Sequence, residues 1–434
     1  MLELEKIKAA HETIKDFVYK TPFSLSTRLS KAMDAKIYLK EENLQITGAY
    51  KVRGAFNKIA NLSPKQKKKG VVAASAGNHA QGVAISATHF GVRSTIIMPE
   101  AAPLLKVAGT KALGAEVILK GNNFDEAYAF ALEYAKEHDM CFVHPFEDEL
   151  VQAGQGTIAL EVLAKVENPD YIVVPIGGGG LISGVASCVK QLSPNTKIIG
   201  VQSSGAPAMS KSFAAKKQIN SSSVRTIADG IAVRDASKLT LKTILEVVDE
   251  IVEVSDDEIA NAILYLLESQ KIVVEGAGAV GVAALFERKF CFEPGSRVVI
   301  VLSGGNIDVQ MLNVIIEKGL IKSSRKMIIN VTLIDKPGAL QGLTSVLTGT
   351  GANIVKIDYD RFSTKLSYGD AMIKITLETK GKEHQENVSS ALRAAGYEFY
   401  EEFQILFFIC VFLLRIRWLL RIRWLGLGGI FREF

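Results

Sequence analysis

The sequence predicts an α/β protein with two open sheets flanked by helices over roughly the first 320 residues, followed by a smaller α+β unit. Three observations carry that expectation. Val/Ile-rich runs alternate with stretches of helical period between about residues 36 and 320. Loops rich in Gly and Ser follow three segments of this region, at Ser75-Ala76-Gly77-Asn78-His79, Gly177-Gly178-Gly179-Gly180-Leu181 and Ser303-Gly304-Gly305-Asn306. Near Ser323-Ser324-Arg325-Lys326 that pattern stops and strands of alternating character begin. Ligands of open α/β sheets bind beyond the carboxyl ends of the strands, where these loops fall.

The apolar runs Val71 to Ala74, Ser94 to Met98, Glu116 to Leu119, Tyr171 to Ile176, Ile198 to Gln202 and Arg297 to Leu302 read as strands. Asn123 to Asp139 and Asp256 to Ser269 place apolar residues every three or four positions and read as helices. A length of 434 residues suits about three domains of roughly 150 residues. The formal charge is +5, and Arg415, Arg417, Arg421, Arg423 and Arg432 against Glu433 put +4 of it in the tail. The body is close to neutral and offers no basic footprint for nucleic acid.

Cys141, Cys188, Cys291 and Cys410 form neither a disulfide framework nor a Cys/His metal cluster, so a reduced, cytoplasmic setting is expected. Met1 to Lys20 mixes charges and lacks the apolar core of a signal peptide, so export is not expected.

Each loop has a chemical reading. Four glycines before a helix let backbone N–H groups crowd an anion, and the helix N-terminus favours negative charge, so Gly177 to Leu181 suits a phosphate; a plain tight turn accounts for the glycines equally well. No Lys-Ser/Thr pair follows, and the spacing is not that of the dinucleotide fingerprint, so a cofactor with one phosphate is favoured over a nucleotide. Ser75 to His79 can receive a carboxylate through amides and the Ser75 hydroxyl, and the Asn78 amide can bond an aromatic hydroxyl, although an ordinary capped helix fits the same residues. The His79 ring is expected to be packed or capping. Ser303 would turn a hydroxyl into the same crevice. Lys51 stands upstream, in Thr47-Gly48-Ala49-Tyr50-Lys51-Val52-Arg53-Gly54, near the start of a helix.

With these motifs in this order, residues 1 to about 320 resemble the fold-type II pyridoxal-phosphate enzymes, specifically the threonine dehydratase/serine dehydratase/serine racemase family. The resemblance implies that Lys51 forms a Schiff base with the cofactor, and that Asn78 contacts its 3-hydroxyl. It implies further that Gly177, Gly178, Gly179, Gly180 and Leu181 hold its phosphate, and that Ser303 faces its ring nitrogen. Ser75, Gly77 and His79 fall in the loop that receives the substrate carboxylate. Ala49-Tyr50 replaces the Ser-Phe usual before the lysine. The implied reaction is elimination of water from L-threonine, or L-serine, to a 2-oxo acid and ammonia.

Family racemases carry a serine hydroxyl where this chain has Ala76, so dehydration with little racemization is expected. Gln202 to Ala208 lacks the acidic cluster of members with a cation site, so no metal is expected there. Glu275, in Val274-Glu275-Gly276-Ala277-Gly278, stands either near the cofactor or as a helix-start carboxylate. The reading that remains outside catalysis is an amino-acid-sensing protein on a decayed catalytic fold.

The expected divisions are a catalytic domain over 1–322, with a smaller subdomain of about 47–147 inserted, a regulatory domain over 326–403, and a tail over 404–434. Met327 to Ile334 reads as a strand, Asp335 onward as a turn into a helix reaching Gly349, Asn353 to Phe362 and Ala371 to Glu378 as strands, and Lys382 to Ala395 as a helix. A last strand from Tyr397 to Phe403 completes a βαββαβ order. This resembles a ferredoxin-like ACT domain, and the resemblance points to Gly338 and Asn353 as the site of a small regulatory amino acid of the branched-chain type; a purely structural dimerization module is the other reading, and a homo-oligomer is expected. In the tail, residues 405 to 414 are apolar and Leu414-Arg415-Ile416-Arg417-Trp418-Leu419 is repeated as residues 420 to 425. The apolar run is about half the ~20 residues a spanning helix needs, which leaves a segment lying on a membrane surface or an unselected, out-of-frame extension.

Overall fold

The computed structural model describes residues 1–364 and 366–402. The chain divides into two compact units between Ile315 and Ile316, within the helix Val309–Lys322. The expectations for the tail over 404–434, and for Phe403 in the last strand, lie outside the described residues.

The first unit contains two sheets. The larger has six strands in the order Phe23–Leu25, Lys36–Glu41, Arg297–Leu302, Tyr171–Pro175, Lys197–Ser203 and Glu250–Val254. All neighbours are parallel except the first pair, where Phe23 faces Lys40. The second sheet is parallel, in the order Glu116–Leu119, Ser94–Met98, Val71–Ala74 and Cys141–Phe142. Central strands such as Tyr171–Pro175 and Val71–Ala74 are buried along their whole length, as expected of parallel strands covered on both faces.

Helices supply that cover. Gly276–Phe286, nearly all small or aliphatic, packs on one face of the larger sheet with Val280, Ala283 and Ala284 beside Val173 and Ile300. Gly180–Leu192 and Glu149–Leu163 cover the other, with Ile182 and Ile158 in a core that includes Ile172 and Val299. The smaller sheet builds its own core from Val71, Ala73, Ile96 and Met98 with Val83 and Ala84 of the helix Asn78–His89.

The six strands read from the sequence coincide with strands here to within a residue at each end. Four others have no such run. Phe23–Leu25 and Cys141–Phe142 are too short to show a period. Lys36–Glu41 and Glu250–Val254 carry charged residues that break one.

The second unit has a four-stranded antiparallel sheet ordered Asn353–Asp360, Asp370–Glu378, Lys326–Ile334 and Phe399–Glu401, with the helices Ala339–Gly349 and Lys382–Ala394. Its element order is βαββαβ. Ile329, Val331, Ile373 and Ile375 form a core with Leu343, Leu347, Val388 and Leu392 of the two helices.

Candidate active site

Lys51 is the first residue of the helix Lys51–Ala60, and the main chain before it is held against the larger sheet. Tyr50 N–H donates to Ser303 O at 3.1 Å, and Ala49 forms a bridge with Gly304. Gly48 has φ +70, and a Cβ there would lie 2.3 Å from Asn306 Oδ1, so both conformation and space demand glycine.

Two residues past Lys51, the buried Arg53 guanidinium anchors the helix. It makes a bidentate pair with Glu42 at 2.8 Å for each bond and donates to Glu161 at 2.6 Å, while Lys40 donates to the other Glu161 oxygen at 2.6 Å. Two cations and two carboxylates, with Thr21 and Thr157 bonded in, make a neutral and well-satisfied cluster. Burial works against the Glu42 charge, but Arg53 and Lys40 overcome it and hold the carboxyl below its ordinary range.

Lys51 Nζ donates to Pro145 O at 3.1 Å and lies 5.4 Å from the centre of the Tyr50 ring. Loss of solvation lowers its pKa to about 8, with the Glu275 charge opposing the fall. The next residue along, Phe146, reaches the glycine run. A Cβ at Gly178 would lie 2.4 Å from the Phe146 ring, and one at Gly180 would lie 2.7 Å from Phe146 Cβ. Gly179 has φ +90 and opens the helix, where the first helical bond runs from Ser183 N–H to Gly179 O at 3.0 Å. The N–H groups of Gly180, Leu181 and Ile182 therefore have no acceptor within the helix, which is the requirement for holding an anion.

The smaller sheet contributes the loop after Val71–Ala74. Gly77 N–H donates to Ser75 Oγ at 3.2 Å, and Asn78 begins the next helix. Asn78 Nδ2 donates to Glu275 Oε1 at 2.7 Å, and Asn78 Oδ1 accepts from Asn306 Nδ2 at 2.8 Å. His79 turns inward: its ring is buried, Nε2 pairs with Val143 O at 2.9 Å, and desolvation lowers its pKa to about 3. His79 Nδ1 is buried without a hydrogen-bond partner among the described residues. Ser303 is buried at the end of Arg297–Leu302.

Lys51, Asn78, Ser303 and the glycine run thus come together through shared partners: Lys51 and Gly178 through Pro145-Phe146, Lys51 and Ser303 through Tyr50, and Asn78 and the Ser303 loop through Asn306. The donor set fits a phosphorylated aromatic aldehyde, with a lysine of lowered pKa, a glycine cradle that a side chain would fill, and a neutral hydroxyl. Pro145, Phe146 and Asn306 were not singled out from the sequence as site residues. Asn306 closes the Ser303 loop motif and could have been, whereas Pro145-Phe146 follows a two-residue strand and carries no signal.

In the second unit Gly338, with φ +85, precedes the helix Ala339–Gly349, and a Cβ there would meet open space. Asn353 starts its strand and donates from Nδ2 to Glu378 at 2.8 Å.

Residues 14–304 match the family model of pyridoxal-phosphate dependent enzymes. The chain is 48% identical over 398 residues to an L-threonine ammonia-lyase of Thermotoga maritima, covering 92% of this chain and 99% of that one. Among solved structures it is similar to the processed form of threonine deaminase isoform 2 from Solanum lycopersicum, with TM-score 0.69, 36% identity and coverage of 72% of this chain and 86% of that one. Maize serine racemase gives TM-score 0.69 and 35% identity, covering 74% of this chain and 98% of that one.

Proposed function

The chain belongs to the pyridoxal-phosphate dependent enzyme family, and on that premise we propose how its residues divide the work. The activity is the pyridoxal-phosphate-dependent dehydration of L-threonine to 2-oxobutanoate and ammonia, a carbon–nitrogen lyase reaction. When bound, pyridoxal phosphate supplies an electron sink for the bond broken at the substrate α-carbon.

Lys51 carries the cofactor and, once its amine is free, takes the α-proton; a pKa of about 8 leaves a useful fraction of neutral amine near neutrality. Gly177 to Leu181 would bind the cofactor's phosphate by N–H groups, Asn78 would bond its ring hydroxyl, and the main chain around Ser75, Gly77 and His79 would receive the substrate carboxylate. Ser303 would hold the ring nitrogen. A hydroxyl there carries no charge to keep that nitrogen protonated, which suits elimination better than transamination. The observation that carries this reading is the convergence of Lys51, the glycine cradle, Asn78 and Ser303 from two sheets. In the purified protein, Lys51→Ala is expected to abolish both the visible absorbance of the lysine-linked cofactor and 2-oxobutanoate formation; retention of either would refute the assignment.

The likeness to a serine racemase supports a second reading, in which L-serine is racemized or dehydrated. Ala76 weighs against racemization, because no hydroxyl stands at that position to serve the opposite face. D-serine formed from L-serine as fast as pyruvate would reverse this.

The βαββαβ order and the open turn at Gly338 support an ACT-type role for the second unit, with Gly338 and Asn353 receiving a branched-chain amino acid. On this reading the enzyme is a cytoplasmic homo-oligomer serving isoleucine synthesis or threonine breakdown. The free thiols Cys141, Cys188 and Cys291 support a reducing compartment.

A further inference from the structure

Glu275 stands at the start of the helix Gly276–Phe286 but does not cap it. Its side chain turns instead to Asn78, accepting the 2.7 Å bond on Oε1, and only 4% of the residue is exposed. Glycines make room for it. A Cβ at Gly304 would lie 2.4 Å from Oε1, and one at Gly230 would lie 3.2 Å away. The Glu275 N–H donates to Gly304 O at 3.0 Å, which ties the carboxylate to the loop that carries Ser303.

The far end of the Asn78 amide is constrained too. Asn306 Nδ2 donates at 2.8 Å both to Asn78 Oδ1 and to the Thr47 carbonyl, which can only accept. Ionised Glu275 also only accepts, so the Asn78 nitrogen must face it and the oxygen must face Asn306. A primary amide has two N–H groups, and this arrangement uses one.

We propose that Glu275 is a positioning residue: its carboxylate fixes the direction of the Asn78 amide and so reserves the second Asn78 N–H for the ring oxygen of pyridoxal phosphate. The inference rests on the reading of Asn78 as a cofactor contact. A protonated Glu275 keeps an acceptor oxygen but loses its charge, so its bond from Asn78 weakens and the direction of the amide rests mainly on Asn306.

The surroundings set where that change falls. Burial raises the Glu275 pKa to about 7, and the Asp229 charge adds to the rise. The bond from Asn78 and the charges of Lys106, from the helix Leu104–Ala112, and of Lys51 oppose it. The Tyr50 phenol is itself pushed up by burial and by Glu275, and stays neutral.

The test measures the dissociation constant for pyridoxal phosphate, and the pH dependence of the bound cofactor's visible spectrum, in full-length wild type, Asn78→Ala, Glu275→Ala, Glu275→Gln and the Asn78→Ala/Glu275→Ala double variant. Glu275→Ala is expected to weaken cofactor binding about tenfold, the scale of one charge-assisted hydrogen bond. Asn78→Ala should weaken it by at least as much, and the double variant no more than Asn78→Ala alone. Glu275→Gln keeps an acceptor oxygen, so affinity should stay within about threefold of wild type, while the pH-dependent spectral change expected of the wild type from Glu275 ionisation should be absent. Wild-type affinity and spectra in Glu275→Ala, full additivity in the double variant, or a surviving transition in Glu275→Gln would each overturn the proposal. A silent Asn78→Ala would remove the Asn78 contact and the proposal with it, whereas a weakened Asn78→Ala beside a silent Glu275→Ala removes the proposal alone. Where Glu275→Ala does not fold, the Glu275→Gln spectrum decides.

Discussion

Burial moves Lys51 and Glu275 toward each other on the pH scale, the amine down to about 8 and the carboxyl up to about 7. For Glu275 this has a stability consequence of definite sign. The folded-state pKa lies above the ordinary 4.5, so the contribution is fully present below pH 4.5 and is lost as pH rises through about 7. Relative to Glu275→Gln, the cofactor-stripped wild type should therefore lose stability across that window, by on the order of 3 kcal/mol at most. Denaturant melts at several pH values would show it, and parallel curves for the two proteins would contradict it. A second residue-scale expectation concerns Gly178, where an alanine methyl would collide with the Phe146 ring. Gly178→Ala should cost about 1–3 kcal/mol of stability and weaken cofactor binding, both measurable by melts and titration. Lys51 and Asn78 can be named as candidates from the sequence because their motifs are contiguous. The mutual arrangement of Asn78, Glu275 and Asn306 cannot be read there, because their numbers say nothing of which loops meet.

The helix Lys51–Ala60 shows how an element presents one residue. Its first turn is held by Arg53 in a cluster whose members come from Lys36–Glu41, the turn Glu42–Leu44 and Glu149–Leu163. Removing one partner strands a buried charge, so Glu161→Ala should destabilise by about 3–5 kcal/mol. Removing Glu5, in the exposed pair with Lys8, should cost under about 1 kcal/mol. Chemical denaturation of the two variants makes the comparison, and equal effects would refute the anchoring role. The same cluster explains why Lys36–Glu41 escaped the sequence reading. Lys40 and Glu42 look solvated in a one-dimensional pattern, and their distant partners, Glu161 for Lys40 and Arg53 for Glu42, are what allow that segment to be buried. Uniformly apolar strands such as Arg297–Leu302 need no such partner and are visible directly.

The residues assigned to cofactor and substrate all fall within Met1–Ile315, and the βαββαβ elements lie in the other unit. A truncation ending near Ser323 should therefore retain threonine turnover, while isoleucine or valine should alter turnover only in the full chain. Equal responses of the two proteins would exclude regulation through the second unit. Strand alternation made that unit's element order readable, because an antiparallel sheet with one covered face shows its period; Ile329, Val331, Ile373 and Ile375 are the inward set. The pairing order of its strands, with Lys326–Ile334 between Asp370–Glu378 and Phe399–Glu401, is a long-range property that no local pattern reports.

The most direct test of the account is a product balance on the purified full-length protein supplied with L-threonine and pyridoxal phosphate, run beside Lys51→Ala. The account predicts 2-oxobutanoate and ammonia in equal amounts, no accumulating D-amino acid or allo-threonine, and no product from the variant. Threonine recovered unchanged, epimerized in place of being deaminated, or deaminated equally well without Lys51 would contradict it.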